Sequence, residues 1–161
     1  MAGGENNLLK DCVGVDAIRH SGVRITTQIY IAHTMPFSGV NRLDGVSLLR
    51  CGSDKHGAYN GAIQVEAHGH PVESIEIADC NIFASPYAAI QIYNKIDERG
   101  QGGLEMSCVI TDCTVTGAAL SGLHIGPDTP GHVEVNNTQF SSCMLGDVQN
   151  DSDSAKLIIN P

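Results

Sequence analysis

Four short strings in this chain repeat one order of side chains: Gly22-Val23-Arg24-Ile25, Ala62-Ile63-Gln64-Val65, Ala89-Ile90-Gln91-Ile92 and Gly122-Leu123-His124-Ile125. Each runs small, aliphatic, polar, aliphatic. A strand built on that order turns its aliphatics to one side and Arg24, Gln64, Gln91 or His124 to the other. Thr26, Glu66 and Tyr93 follow two residues later in three of them. Guanidinium, amide, carboxylate and phenol groups in rows about 4.8 Å apart could hydrogen-bond the hydroxyls of an extended polysaccharide, with Tyr93 stacked on a sugar face. The same column also has a purely structural reading, because a solvated sheet face needs polar residues and Gln stacks on Gln as a ladder. Either way the stripe is expected to face water.

Glycoside hydrolysis asks for two carboxylates about 5 Å or about 6.5–9.5 Å apart across one bond. Glu66 is the one acid on the column, and Asp97 and Glu98 lie in the loop beyond Tyr93, so these three are the candidate catalytic acids. Asp11, Asp79 and Asp112 recur at a corner, where an Asp is expected to satisfy backbone amides. His68 and His70 flank Gly69, with His56 in the preceding loop. Without an acidic cluster beside them they read as an exposed polar turn and not as metal ligands. Arg99 to Gly103 is glycine-rich, but no strand-to-helix context makes it a phosphate cradle. The sequence calls for no metal and no cofactor.

A second repeat supplies the frame that must position these residues. It runs aliphatic, two variable residues, Cys or Thr, one variable residue, then aliphatic or small. The copies are Leu9/Cys12/Gly14, Leu48/Cys51/Ser53, Ile77/Cys80/Ile82, Ile110/Cys113/Val115 and Val135/Thr138/Phe140. They recur every 25 to 39 residues or so, as in coils whose loops vary while their strands do not. Stacked coils would set Cys12, Cys51, Cys80 and Cys113 above one another as an inward ladder of thiols, in preference to disulfides. The architecture expected is an all-β, single-stranded parallel β-helix of about five coils, one domain over residues 1–161. Ala155 to Ile159 reads as one more strand, and the polar stretch from Asp147 to Ser154 as a mobile loop. No window keeps helical spacing of apolar residues, and Gly interrupts every segment. Both end coils would leave ladder edges open, so the chain is expected to continue in a longer parent or to stack end to end on another copy.

The net charge of −9, with 9 Lys+Arg against 18 Asp+Glu, argues against nucleic acid or an anionic membrane as partner. A neutral glycan suits it better. Aromatics make up 4%, Trp is absent and Gly numbers 18, a poor recipe for an ordinary core but a usable one for short strands and tight corners. No apolar run approaches the roughly 20 residues that cross a bilayer, and Met1 to Gly4 lacks the pattern of a signal peptide.

Residues 6–26 (NNLLKDCVGVDAIRHSGVRIT), 35–53 (MPFSGVNRLDGVSLLRCGS) and 61–92 (GAIQVEAHGHPVESIEIADCNIFASPYAAIQI) resemble the late coils of the catalytic β-helix in mycodextranases and α-1,3-glucanases. That glycoside hydrolase family has a right-handed parallel β-helix of the pectate-lyase-like kind. The resemblance covers about Asn6 to Asn94, the PFSG turn and the GAIQV strand being its most suggestive parts, and weakens afterwards to a generic repeat. It implies an α-glucan as ligand and a secreted setting. In that family the hydrolytic acids sit in earlier coils, in Asp-Gly and Asp-Asp-Gly contexts. This chain has no Asp-Asp pair and one Asp-Gly, at Asp44 and Gly45, so no catalytic residue carries over. The chain therefore resembles the back part of an enzyme fold, a truncation of one, or a relative that has lost chemistry.

Overall fold

The structure, a computed structural model, describes residues 4–18, 20–26, 37–53, 60–68, 72–95 and 106–161. It is a right-handed parallel β-helix in which every strand-to-strand ladder runs parallel. That hand is the one a right-twisted strand takes when it crosses over to a parallel neighbour.

The chain winds through three sheets. The first holds β1 (Gly4–Glu5), β2 (Leu8–Lys10), β5 (Phe37–Asp44), β8 (Val72–Ala78), β11 (Met106–Thr111), β14 (Gly131–Asn136) and β17 (Ala155–Asn160). The second stacks β3 (Val13–Val15), β6 (Ser47–Leu49), β9 (Asn81–Phe83), β12 (Thr114–Thr116) and β15 (Gln139–Ser141). The third stacks β4 (Val23–Thr26), β7 (Ile63–His68), β10 (Ile90–Lys95), β13 (Leu123–Ile125) and β16 (Val148–Asn150). The five coils expected are present.

Inside, like sits on like. Ile63, Ile90 and Leu123 form one column and Val65, Ile92 and Ile125 the next, all with no exposure. Leu43, Ile77, Ile110 and Val135 form a third column in the first sheet. Each such side chain contributes roughly 1.5–3 kcal/mol, set against the entropy of ordering it.

The first corner turns on left-handed residues in register: Asp11 (φ 49°), Gly45 (65°), Asp79 (52°), Asp112 (53°) and Asn137 (41°). Asp, Asn and Gly are the residues that reach this conformation at least cost, which accounts for the recurrent corner Asp. Their amides continue the ladder through the bend, as from Asp79 to the Thr111 carbonyl at 3.1 Å. The next residue points inward and donates to the carbonyl two residues back: Cys80 Sγ to Ala78 O at 3.2 Å, Cys113 Sγ to Thr111 O at 3.3 Å, Thr138 Oγ1 to Asn136 O at 3.0 Å.

One member of the expected thiol ladder is misplaced. Leu9 pairs with Leu43 and Leu43 with Ile77, so the residue level with Cys12 and Cys80 is Val46. Cys51 belongs to the second corner, where Asp16, Arg50, Ala84, Gly117 and Ser142 hold the left-handed position. There Cys51 and Cys143 repeat the same device, each reaching the carbonyl two residues back. Equivalent residues are 34 apart in the early coils, as Asp16 and Arg50, and 25 apart in the later ones, as Asp112 and Asn137. All six cysteines are free thiols.

Val148–Asn150 is also corrected: it is not a loop but the last strand of the third sheet, paired with Leu123–Ile125. Ala155–Asn160 is a strand as expected. The end coils expose Val13 and Ile18 on one side and Met144, Leu145 and Ile159 on the other.

Candidate functional site

The candidate residues stand on the third sheet. Its inward aliphatic columns force the intervening residues outward, and in-register pairing lines up Arg24, Gln64, Gln91, His124 and Gln149 in one row. Glu66 and Tyr93 stand side by side in the next, with Thr26 at the same level on β4. The rows are those expected, but the exposure is not. Gln64 and Glu66 have no exposure, Gln91 5% and His124 8%, so the stripe does not lie open to water. Several of its members hydrogen-bond one another, with Arg24 (35% exposed along its side chain) and the half-buried Tyr93 at the surface.

At one end the network centres on Glu66. Arg24 Nε donates to Glu66 Oε2 at 2.8 Å, and a terminal nitrogen of the same guanidinium donates to that oxygen as well. Gln64 Nε2 donates to Tyr93 Oη at 2.9 Å and weakly to Glu66 Oε2 at 3.4 Å, while Gln64 Oε1 accepts from Ser21 Oγ at 2.9 Å. Burial first, and the Glu66 charge second, push the Tyr93 phenol above its ordinary pKa. Gln91 Oε1 accepts from the Gly61 amide at 3.1 Å.

At the other end His124 Nε2 meets Asp151 Oδ2 at 3.0 Å, and Gln149 Nε2 donates to the same carboxylate at 3.0 and 3.1 Å. The His124 hydrogen bond, then the Gln149 one, hold Asp151 below the usual carboxylate range. The Tyr87 ring stands edge-on to His124, centroids 6.3 Å apart at 67°.

Among the described residues, five buried side-chain polar atoms have no hydrogen-bond partner. Three of them, Glu66 Oε1, His124 Nδ1 and Gln149 Oε1, stand in these rows, and a fourth, Ser121 Oγ, sits where the chain enters β13. Arg42 Nε on the first sheet is the fifth. Leaving such a group unsatisfied costs about 1–3 kcal/mol, which makes their clustering on one sheet a property to be explained.

The candidate acids Asp97 and Glu98 lie outside the described residues, as do His56 and His70; His68 closes β7, its side chain undescribed. The described acids of this face are Glu66 and Asp151. Three strand spacings separate their backbones, about 14 Å, wider than either hydrolytic geometry. Ser21, Ser121, Gln149 and Asp151 were missed in the sequence. The signal for the last two was there: Gly146-Asp147-Val148-Gln149 repeats the small, then aliphatic, then polar order with one residue inserted.

No family model and no curated protein matches the chain. Among solved structures it is similar to the catalytic domain of a GH87 α-1,3-glucanase in complex with nigerose, at 17% identity and a TM-score of 0.86, covering 98% of this chain and 31% of that one. It is similar also to the catalytic unit of the thermostable GH87 α-1,3-glucanase from Streptomyces thermodiastaticus strain HF3-3, at 20% identity and 0.84, covering 99% and 30%. The Agl-KA catalytic domain matches at 16% and 0.65, covering 96% and 32%. The likeness thus runs well past Asn94, where the resemblance in sequence faded. The chain spans under a third of these domains, and at such identities what it shares with them is the β-helix fold.

Proposed function

We propose that this chain is a carbohydrate-active β-helix domain that binds a neutral polysaccharide, an α-glucan, along the outer face of the third sheet. The observation carrying this reading is the in-register row of Arg24, Gln64, Gln91, His124 and Gln149, beside which Arg24 and Tyr93 reach the surface. The row crosses four strand spacings, so a ligand lying along it runs across the strands, parallel to the helix axis. A polyol presents hydroxyls that both donate and accept, and the net charge of −9 favours a neutral one. The fold shared with α-1,3-glucanases makes an α-glucan the first ligand to try. With Glu66 and Asp151 too far apart to work as a pair, the role is binding without a complete set of catalytic acids among the described residues.

Isothermal titration with soluble α-1,3- and mixed α-gluco-oligosaccharides tests it. Binding that weakens at least tenfold in Tyr93→Ala and in Gln149→Ala supports the reading. No heat with any of these glucans, or variants that bind as the unaltered chain does, overturns it.

A second reading rests on the exposed Val13, Ile18, Met144, Leu145 and Ile159 of the end coils: copies stacked end to end through open ladder edges. A strict monomer in light scattering at high concentration removes it.

A further inference from the structure

Six cysteines in a small solenoid invite the question whether any two can meet. Only one pair is placed to do so. Cys80 and Cys113 occupy the same first-corner position in successive coils, since Asn81 pairs with Thr114 immediately after them. The equivalent residue one coil earlier is Val46 and one coil later Thr138, so the pair is bounded on both sides by residues that cannot cross-link. Cys12 is separated from Cys80 by the Val46 layer, Cys51 and Cys143 sit at the other corner in distant coils, and Cys108 lies between Ile75 and Val133.

The two thiols also reach for the same place. Cys80 Sγ lies 3.2 Å from the Ala78 carbonyl, and Cys113 Sγ lies 3.5 Å from the carbonyl of Ile77, the residue before it. Cys113 Sγ also lies 3.3 Å from the Thr111 carbonyl of its own strand. Neighbouring strands are about 4.8 Å apart, inside the 4.4–6.8 Å Cα separation that a disulfide spans.

We propose that Cys80 and Cys113 are a covalent modification site, a dithiol that a low-molecular-weight disulfide oxidises to a bridge tying the third coil to the fourth. The Cys80 thiolate attacks one sulfur of RS–SR, giving Cys80–S–SR and an RS⁻ that takes up the proton Cys80 released. Cys113 then attacks the Cys80 sulfur, its proton leaving with the second RS⁻. Two protein thiols and one small disulfide become one protein disulfide and two small thiols. The proximity of the two thiols favours this order, since it holds Cys80 below the ordinary thiol pKa and Cys113 above it. Cys108, fully buried and pushed up to about 12 by desolvation, takes no part.

The bridge closes a loop of chain that contains β10, the strand of Gln91 and Tyr93, so its formation fixes the coil at the middle of the polar face. Both thiols are buried, so exchange takes place as the chain folds or when the corner opens.

Refolding the chain in oxidised glutathione, alkylating what remains free and mapping peptides without reduction tests this. The expected result is one linked peptide pair, carrying Cys80 and Cys113, with the other four cysteines alkylated. Cys80→Val and Cys113→Thr place at each position a residue the same column already holds, so these variants fold. The unaltered chain should melt higher oxidised than reduced, and Cys80→Val should melt alike in both. Recovery of alkylated Cys80 and Cys113 after oxidation, or linkage of other cysteines in their place, overturns the assignment.

Discussion

Two nitrogens of Arg24 donate to Oε2 of Glu66 across neighbouring strands, while Oε1 of that fully buried carboxylate has no partner. The Arg24 side chain is 35% exposed. One end of the polar face is thus a buried negative charge held by a cation that still touches water. Arg24→Met should cost about 2–3 kcal/mol, less than the 3–5 of a fully buried pair because Arg24 is partly solvated. The double change Arg24→Met with Glu66→Leu should recover most of it, since no charge is then left unpaired. Urea midpoints check both, and an unshifted midpoint in Arg24→Met shows that the pair contributes nothing.

Tyr93 shares that carboxylate, and its phenol is raised by burial and by the Glu66 charge. A folded pKa above the unfolded value of about 10 means stability fully present below pH 10 or so and lost as pH rises through the folded pKa. The chain should therefore lose stability in alkali more steeply than Tyr93→Phe does. Denaturation midpoints at pH 8 and pH 10.5, compared between the two proteins, show a gap that changes with pH. A constant gap means that Tyr93 titrates no differently when folded.

The rows of the third sheet were legible because Val, Ile and Leu alternate with polar residues at Ile63–Val65, Ile90–Ile92 and Leu123–Ile125, and a period of two admits one register. The first-corner register failed at one coil. Val46 stands there in place of Cys, and Leu48 and Cys51 mimic the spacing of the true copy, Leu43, Val46 and Leu48. The error did not disturb the fold, because stacking rests on the aliphatic columns and not on the thiols. What alternation could not reveal is depth. An outward direction is a property of the strand, whereas the burial of Gln64, Glu66 and Gln91 depends on side chains from other coils and corners, such as Ser21 on Gln64. Gln149 and Asp151 were lost to composition, since a polar stretch read as loop hid a strand whose pattern matched its neighbours.

Ala84 holds a left-handed φ of 52° at the second corner, where the next coil places Gly117. An L-residue with a β-carbon costs about 1–2 kcal/mol there, and glycine gives back about 0.4–1 through a more flexible unfolded chain. Ala84→Gly should thus raise stability by about 0.5–1 kcal/mol, a change in melting temperature of a few degrees. Ala84→Val, adding a β-branch to the same strain, should lower it. A stabilised valine variant contradicts the corner as described.

Gly122 offers the sharpest test of how closely the last coils pack. Ala62 and Ala89 hold the equivalent place in neighbouring coils and are fully buried, so a methyl group is tolerated there in general. At Gly122 the added β-carbon meets Phe140 Cδ1 at 2.2 Å and the Asp147 carbonyl oxygen at 2.7 Å. The ring can swing. The carbonyl cannot, because it accepts the Leu123 amide at 2.9 Å and leads directly into β16. Gly122→Ala should therefore cost about 1–3 kcal/mol and move β16 away from β13, displacing Gln149 and Asp151 from His124. The reverse change one coil earlier, Ala89→Gly, should cost about 1–2 kcal/mol through chain flexibility and one lost buried methyl, and leave the polar rows in place. Thermal melts rank the two, and the His124 ring resonances in NMR report whether the Asp151 contact is lost in the first and kept in the second. Gly122→Ala with unchanged stability and unchanged His124 resonances shows that β13 and β16 are not packed as the structure has them.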